Sequence, residues 1–128
     1  MKKEIVQTDK AAAPVGPYSQ GIKTWDFVFV AGEKGLDPKT GKIVPGGIAA
    51  ETRRTLENIK AILEAAGATM DQVVRTQVFL TDISDFPAMN AVYAEYFQNG
   101  PPGRTTVQVA ALPAGAQVEI EATAVLTR

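Results

Sequence analysis

Val118-Glu119-Ile120-Glu121-Ala122-Thr123-Ala124 alternates strictly between apolar and polar or small residues. Successive strand side chains point to opposite faces, so Val118, Ile120, Ala122 and Ala124 line one side. Glu119, Glu121 and Thr123 line the other. The reading is a strand over residues 118–126 with one face on a core. Just upstream, Arg104-Thr105-Thr106-Val107-Gln108-Val109 reads as another strand, with Arg104, Thr106 and Gln108 on one face and Thr105, Val107 and Val109 on the other. No other charged residue stands between Arg104 and Glu119.

Working outward, residues 47–66 carry Ile48, Thr52, Leu56, Ile59, Leu63 and Ala66 at spacings of three and four, an amphipathic helix with Glu51 among the residues of its other faces. Gly67 suits the position that ends it, where positive φ is needed. Residues 73–80 read as a strand with Val74, Thr76, Val78 and Leu80 on one face. Ser84 reads as the N-cap of a second helix through Phe97, with Pro87 tolerated in its first turn. Residues 4–7 and Phe27–Ala31 read as strands, Ala11–Gly21 as a Pro/Gly loop, and Asp37–Gly41 as a turn.

The order is β-β-α-β-α-β-β, with room for one extra short strand. It describes a single α+β domain over residues 1–128, two helices packed on one face of one sheet. If the apolar strand faces pack on the helices, the polar faces share the other side. Arg104 and Glu119 are then expected to converge there. Phe27, Phe29 and Phe79 would leave apolar surface on that side, which favours oligomerisation.

Composition narrows the chemistry. The chain has 128 residues, net charge −1, no cysteine and no histidine. Thiolate and imidazole nucleophile–base pairs are excluded, as is any disulfide. The positive charges are scattered, without the basic stripe of a nucleic-acid binder. Met1–Val6 lacks the apolar stretch of a signal peptide, and no apolar run approaches the ~20 residues of a membrane span. The expectation is a soluble cytoplasmic protein without nucleic-acid or membrane partners. No cluster of oxygen or nitrogen ligands points to a metal.

Arginine suits a carboxylate ligand because its planar fork donates two parallel hydrogen bonds. With His and Cys missing, Glu119 or Glu121 is the best proton-transfer candidate. Tyr18, in the Pro/Gly loop, adds a hydroxyl donor. Plainer readings stand beside these. Arg104 pairs equally well with Glu119 or Glu121 as a structural ion pair. Alternating glutamates also suit a solvated strand face, Tyr18 suits packing, and Asn90 suits a hydrogen-bonded structural role.

Gly16-Pro17-Tyr18-Ser19-Gln20-Gly21, Asp37-Pro38-Lys39-Thr40-Gly41, the helix segment Asn58 to Gly67, and the Arg104 run followed by Val118-Glu119-Ile120-Glu121-Ala122 together resemble the RidA (YjgF/L-PSP) family of reactive-intermediate deaminases. The likeness spans nearly the whole chain in the same order. It implies a chorismate-mutase-like fold of about six strands backed by two helices. It implies a homotrimer with a central β-barrel and ligand clefts between subunits. The implied reaction is hydrolysis of 2-imino or 2-enamino acids, such as 2-iminobutanoate and 2-iminopropanoate, to 2-oxo acids and ammonia, a form of metabolite-damage control. No metal or organic cofactor is expected. By the same resemblance Arg104 clamps the substrate carboxylate, and Glu119 positions or activates water. Tyr18 lines the cleft, Gly32 offers a backbone contact, and Asn90 supports the cleft.

The chain also departs from the family pattern. Ala31-Gly32-Glu33 stands where Ser-Gly-Gln is common, and Thr106 where cysteine is common. Ala31 removes a hydroxyl beside the cleft. Glu33 adds a negative charge near an anion site, which Lys34 can offset. Two other functions remain open at this point: a non-catalytic binder of small carboxylates, and a ribonuclease or translation inhibitor, against which the charge balance argues.

Overall fold

A computed structural model describes residues 2–126. Six strands form one sheet: β1 (Glu4–Val6), β2 (Gly21–Thr24), β3 (Phe27–Lys34), β4 (Val73–Leu80), β5 (Gly103–Gln108) and β6 (Val118–Val125). Their spatial order is β1-β2-β3-β6-β4-β5, antiparallel throughout except for the parallel β4–β5 edge. Two helices, α1 (Gly47–Ala65) and α2 (Phe86–Tyr96), complete an α+β fold. β2 fills the place left for an extra short strand. Among the described residues no helix is long and apolar enough to cross a membrane.

The alternation in β6 sets the layers. Val118, Ile120, Ala122 and Ala124 are buried with Leu56, Ile59, Ile62 and Leu63 of α1. Glu119, Glu121 and Thr123 lie half-buried on the opposite, open face. Phe27 and Phe29 stack there at 5.7 Å and remain 41% and 44% exposed, so an apolar strip is left uncovered in the single chain. α1 ends where expected: Gly67 takes φ +84°, and Ala68 N–H closes on the Leu63 carbonyl at 2.8 Å.

Four details differ from the sequence reading. In β4, Val73 faces Ala124 and Arg75 faces Thr123, so Val74 is an extra residue, turned out and 51% exposed. The bulge, rather than simple alternation, sets which side chains are buried there. Asp82, not Ser84, caps the turn before α2: its Oδ1 accepts from Ser84 N at 2.9 Å. Asp82 sits one residue ahead of the 3₁₀ turn Ile83–Asp85, which α2 then continues, so Ser84 lies inside that turn rather than at its cap. Glu51 is buried rather than solvated, because its carboxylate accepts from Gln117 N (2.8 Å) and ties α1 to the loop before β6. The fourth difference, the face on which Arg104 lies, belongs to the site.

The Pro/Gly loop before β2 is held by one side chain. Gln20 is buried. Its Oε1 accepts from Thr8 N (2.8 Å), and its Nε2 donates to the carbonyls of Thr8 (3.0 Å) and Ala12 (2.8 Å). Replacing it with alanine orphans these buried backbone groups, at a cost of about 1–3 kcal/mol for each group that water does not reach. Gln20→Ala is therefore expected to lose about 2–4 kcal/mol in urea unfolding. The same variant should open residues 8–20 to proteolysis.

Candidate active site

Arg104 sits on β5 opposite Thr76, whose side chain is buried on the helix side of the sheet. Its side chain follows. Nη2 donates to Asn90 Oδ1 at 2.7 Å, and the guanidinium lies 4.7 Å from the Tyr93 ring centre and 5.3 Å from that of Phe86. All three partners are on α2. Two aromatic faces and one amide oxygen fix the guanidinium while leaving donors free for a ligand. Tyr93 is itself tied down by a 2.6 Å hydrogen bond between its hydroxyl and Thr76 Oγ1. Burial pushes its phenol up, against the lowering effects of that hydrogen bond and of Arg104. The phenol thus stays neutral beside the cation. An open pocket bounded by Asn90, Tyr93, Ala94, Phe97, Pro101 and Pro102 leads to Arg104.

Thr106 follows on the same face, opposite Val78, with a buried hydroxyl that has no hydrogen-bond partner among the described residues.

Glu119 lies on the other side of the sheet. Its oxygen is 3.7 Å from Nζ of Lys34, which is buried, and its carboxylate rests over the backbone of Gly32. A β-carbon built on Gly32 comes within 3.0 Å of Glu119 Cδ and 3.2 Å of Cγ, so only glycine admits this approach. The approach depends on a bulge: Val30 faces Ala122 and Glu33 faces Ile120, so Ala31 and Gly32 together span the single residue Glu121. Ala31 N donates to the Gln20 carbonyl (2.9 Å), which anchors the loop carrying Tyr18 against the bulge. The Tyr18 hydroxyl accepts from Val15 N (3.2 Å), and the ring is 42% exposed.

The expected convergence of Arg104 and Glu119 on the open face is thus corrected: within one chain they lie on opposite faces. β5 is an edge strand: alternation assigns its more apolar face, Thr105 and Val107, to the helices, and the structure turns the Arg104 face there instead. Parallel pairing with β4 decides it, placing Arg104, Thr106 and Gln108 beside Thr76, Val78 and Leu80. Val107, read as core-facing, is 41% exposed on the open face. The candidate residues instead form two half-sites. One is Arg104, Asn90 and Thr106 on the helix side; the other is Glu119, Gly32 and Ala31 at the bulge, with Tyr18 in the adjoining loop. Two supports were not singled out from the sequence: Tyr93, and Gln20, read only as part of a motif.

Comparison with known proteins agrees with this architecture. The family model described as Endoribonuclease L-PSP matches residues 8–126. A RutC family protein of Pyrococcus abyssi is 52% identical over 124 residues, covering 97% of this chain and 98% of that protein. The 2-iminobutanoate/2-iminopropanoate deaminase of Mus musculus is 46% identical over 123 residues, covering 96% and 91%. The crystal structure of E. coli TdcF with bound serine superposes with a TM-score of 0.92 at 39% identity, covering 97% of this chain and 99% of that one. The match along residues 8–126 and these identities establish that the chain belongs to the L-PSP family, the RidA/YjgF group its loop, helix and strand motifs resemble.

Proposed function

We propose that this protein hydrolyses 2-imino acids and their 2-enamino tautomers to 2-oxo acids and ammonia, as a cytoplasmic homotrimer. The observation that carries the reading is the fixed guanidinium of Arg104, free to donate a fork at the mouth of an open pocket. That is the geometry a substrate carboxylate requires. The deaminase name of the mouse relative supplies the reaction class.

The two half-sites of one chain face away from each other, so one ligand meets both only between copies. In this reading, the β5 edge of one subunit abuts the open face of the next. The uncovered Phe27–Phe29 strip is buried on assembly. Arg104 holds the substrate carboxylate and sets the C=N carbon beside the neighbour's Glu119. Water attacks that carbon as the Glu119 carboxylate takes its proton, giving a carbinolamine. With the imine entering as its N-protonated form that carbinolamine is neutral; Glu119 returns the proton to its nitrogen, the C–N bond breaks as the hydroxyl proton passes to the Glu119 carboxylate, ammonia leaves a 2-oxo acid, and the proton on Glu119 goes to the departing ammonia. Most of the acceleration comes from positioning, because an imine is already electrophilic.

The test couples the protein to a threonine dehydratase and follows 2-oxobutyrate. Release faster than spontaneous hydrolysis, in proportion to added protein, is the expected result. No acceleration at high protein concentration would sink the reading. A second reading, a non-catalytic binder of small carboxylates, is favoured by the serine bound in the TdcF structure. Calorimetric binding of 2-oxobutyrate without turnover would select it.

A further inference from the structure

The bulge in β3 inverts the alternation beyond it. Without the extra residue, Glu33 would share the open face with Phe27 and Phe29. With it, Glu33 pairs with Ile120 and turns toward the helices, while Lys34 pairs with Glu119 on the open side. Glu33 is consequently 5% exposed. The nearest cation does not neutralise it: Lys34 makes its ion pair with Glu119, and among the described residues Glu33 forms no ion pair. A carboxylate taken out of water without a counter-ion is costly, and such groups take up a proton instead.

The surrounding charges pull in both directions. Lys34 on its own strand favours the ionised form and Glu119 on β6 opposes it. From α1, Glu51 packs against Gly35, and Arg54 is occupied by Asn58 Oδ1, while the amide nitrogen of Asn58 donates to the Lys34 and Leu36 carbonyls. Burial, the dominant effect, pushes the Glu33 carboxyl up to about 8.

We propose that Glu33 is a positioning residue held as a neutral carboxylic acid behind Gly32 and Glu119, and that its ionisation weakens the binding of a carboxylate ligand at that site. Neutral Glu33 leaves Lys34 and Glu119 as a balanced pair beside Gly32, with Glu121 opposite the bulge on the open face. Ionised Glu33 adds an unbalanced negative charge one residue from the Gly32 backbone. At separations of several ångströms and a partly screened dielectric, that repulsion lowers the affinity for an anion on the order of tenfold. The proposal rests on the deaminase reading for its ligand, but not for its proton.

Two measurements on the intact protein test it, each comparing wild type with Glu33→Gln. The first is thermal melting without ligand. Between the unfolded carboxyl's ordinary 4.5 and about 8, the folded wild type holds one more proton than the unfolded chain, so its stability falls as pH rises. Glutamine does not titrate. The variant's melting temperature should gain on wild type from pH 5 to 9, by at least about 5 °C. A gap that does not change with pH overturns the proposal.

The second measurement is calorimetric titration with 2-oxobutyrate at pH 6 to 9. Wild-type affinity should drop about tenfold across pH 8, whereas the variant's should stay within about twofold of its own pH 6 value. Parallel loss in both proteins overturns the proposal while leaving the deaminase reading intact. No binding by either protein at pH 6, with the melting gap present, overturns the ligand reading and the proposal with it. Kinetics provide a further check: the pH effect should fall on KM, with kcat nearly constant, where a merely structural role would move neither selectively.

Discussion

Arg104→Ala lowers kcat/KM for 2-iminobutanoate by about 10²–10³-fold. A forked pair between a guanidinium and a carboxylate in a partly desolvated cleft is worth about 2–5 kcal/mol when one partner is removed. Tenfold in rate corresponds to about 1.4 kcal/mol, so that energy spans roughly 1.5 to 3.5 decades and the expectation is its middle. The geometry adds a specific expectation for Arg104→Lys. An ammonium keeps the charge but cannot both donate to Asn90 Oδ1 and present a planar fork, and it stacks less well between Phe86 and Tyr93. The lysine variant should recover little of the loss. Stability should change modestly in either variant, since the cation–ring contacts contribute about 1 kcal/mol and Asn90 is only partly buried. Steady-state assays beside melting curves separate the two. An alanine variant as active as wild type would dismiss the clamp.

Glu119→Gln lowers kcat by about 10²–10⁴-fold, the usual contribution of a positioned proton-transfer group. KM should fall rather than rise, because losing the Glu119 charge leaves Lys34 unbalanced near an anionic ligand. This variant has a second consequence. Lys34 is buried and its ion-pair partner is Glu119, so the mutation strands an ammonium in the protein. Breaking a buried pair from one side costs about 3–5 kcal/mol; the partial exposure of Glu119 brings the expectation here down to about 1–3. Glu119→Gln combined with Lys34→Met should restore melting temperature without restoring turnover. Recovery of activity in that double variant would show that Glu119 acts only through stability.

Mixing the two inactive variants tests the division of the site between copies. If Arg104 of one subunit serves the Glu119 of the next, reassembled 1:1 mixtures of Arg104→Ala and Glu119→Gln regain about a quarter of wild-type sites, one neighbour supplying each missing group. No recovery after unfolding and refolding together would place both groups of each site in one chain.

How much was legible beforehand varies by element. The spacing of Leu56, Ile59 and Leu63 located α1, and the alternation of β6 located the core, because burial on one side leaves a periodic trace. β2 was hidden: Gly21–Thr24 is short and adjoins a Pro/Gly loop whose turn residues dominate the local signal. The two bulges left no trace, since an extra residue changes phase without changing composition. The consequence was largest at Glu33, which alternation places in solvent and the structure buries. For Arg104, residue type was informative and direction was not. An edge strand takes its orientation from its neighbour, here the parallel register with β4.

The strand order β1-β2-β3-β6-β4-β5 has a further consequence for synthesis. β3 and β4 never pair with each other; each pairs with β6, the last of the six strands to leave the ribosome. A nascent chain that has emerged only through β5 holds two unjoined pieces, a three-stranded meander and a parallel pair, each with an apolar face and an open edge. The keystone arrives last, and long-range pairing of this kind is slow to nucleate and exposed to aggregation in the interval. A chain truncated just before residue 118 should therefore be chaperone-bound and protease-sensitive, and extension through Val125 should convert it to the folded domain in one step.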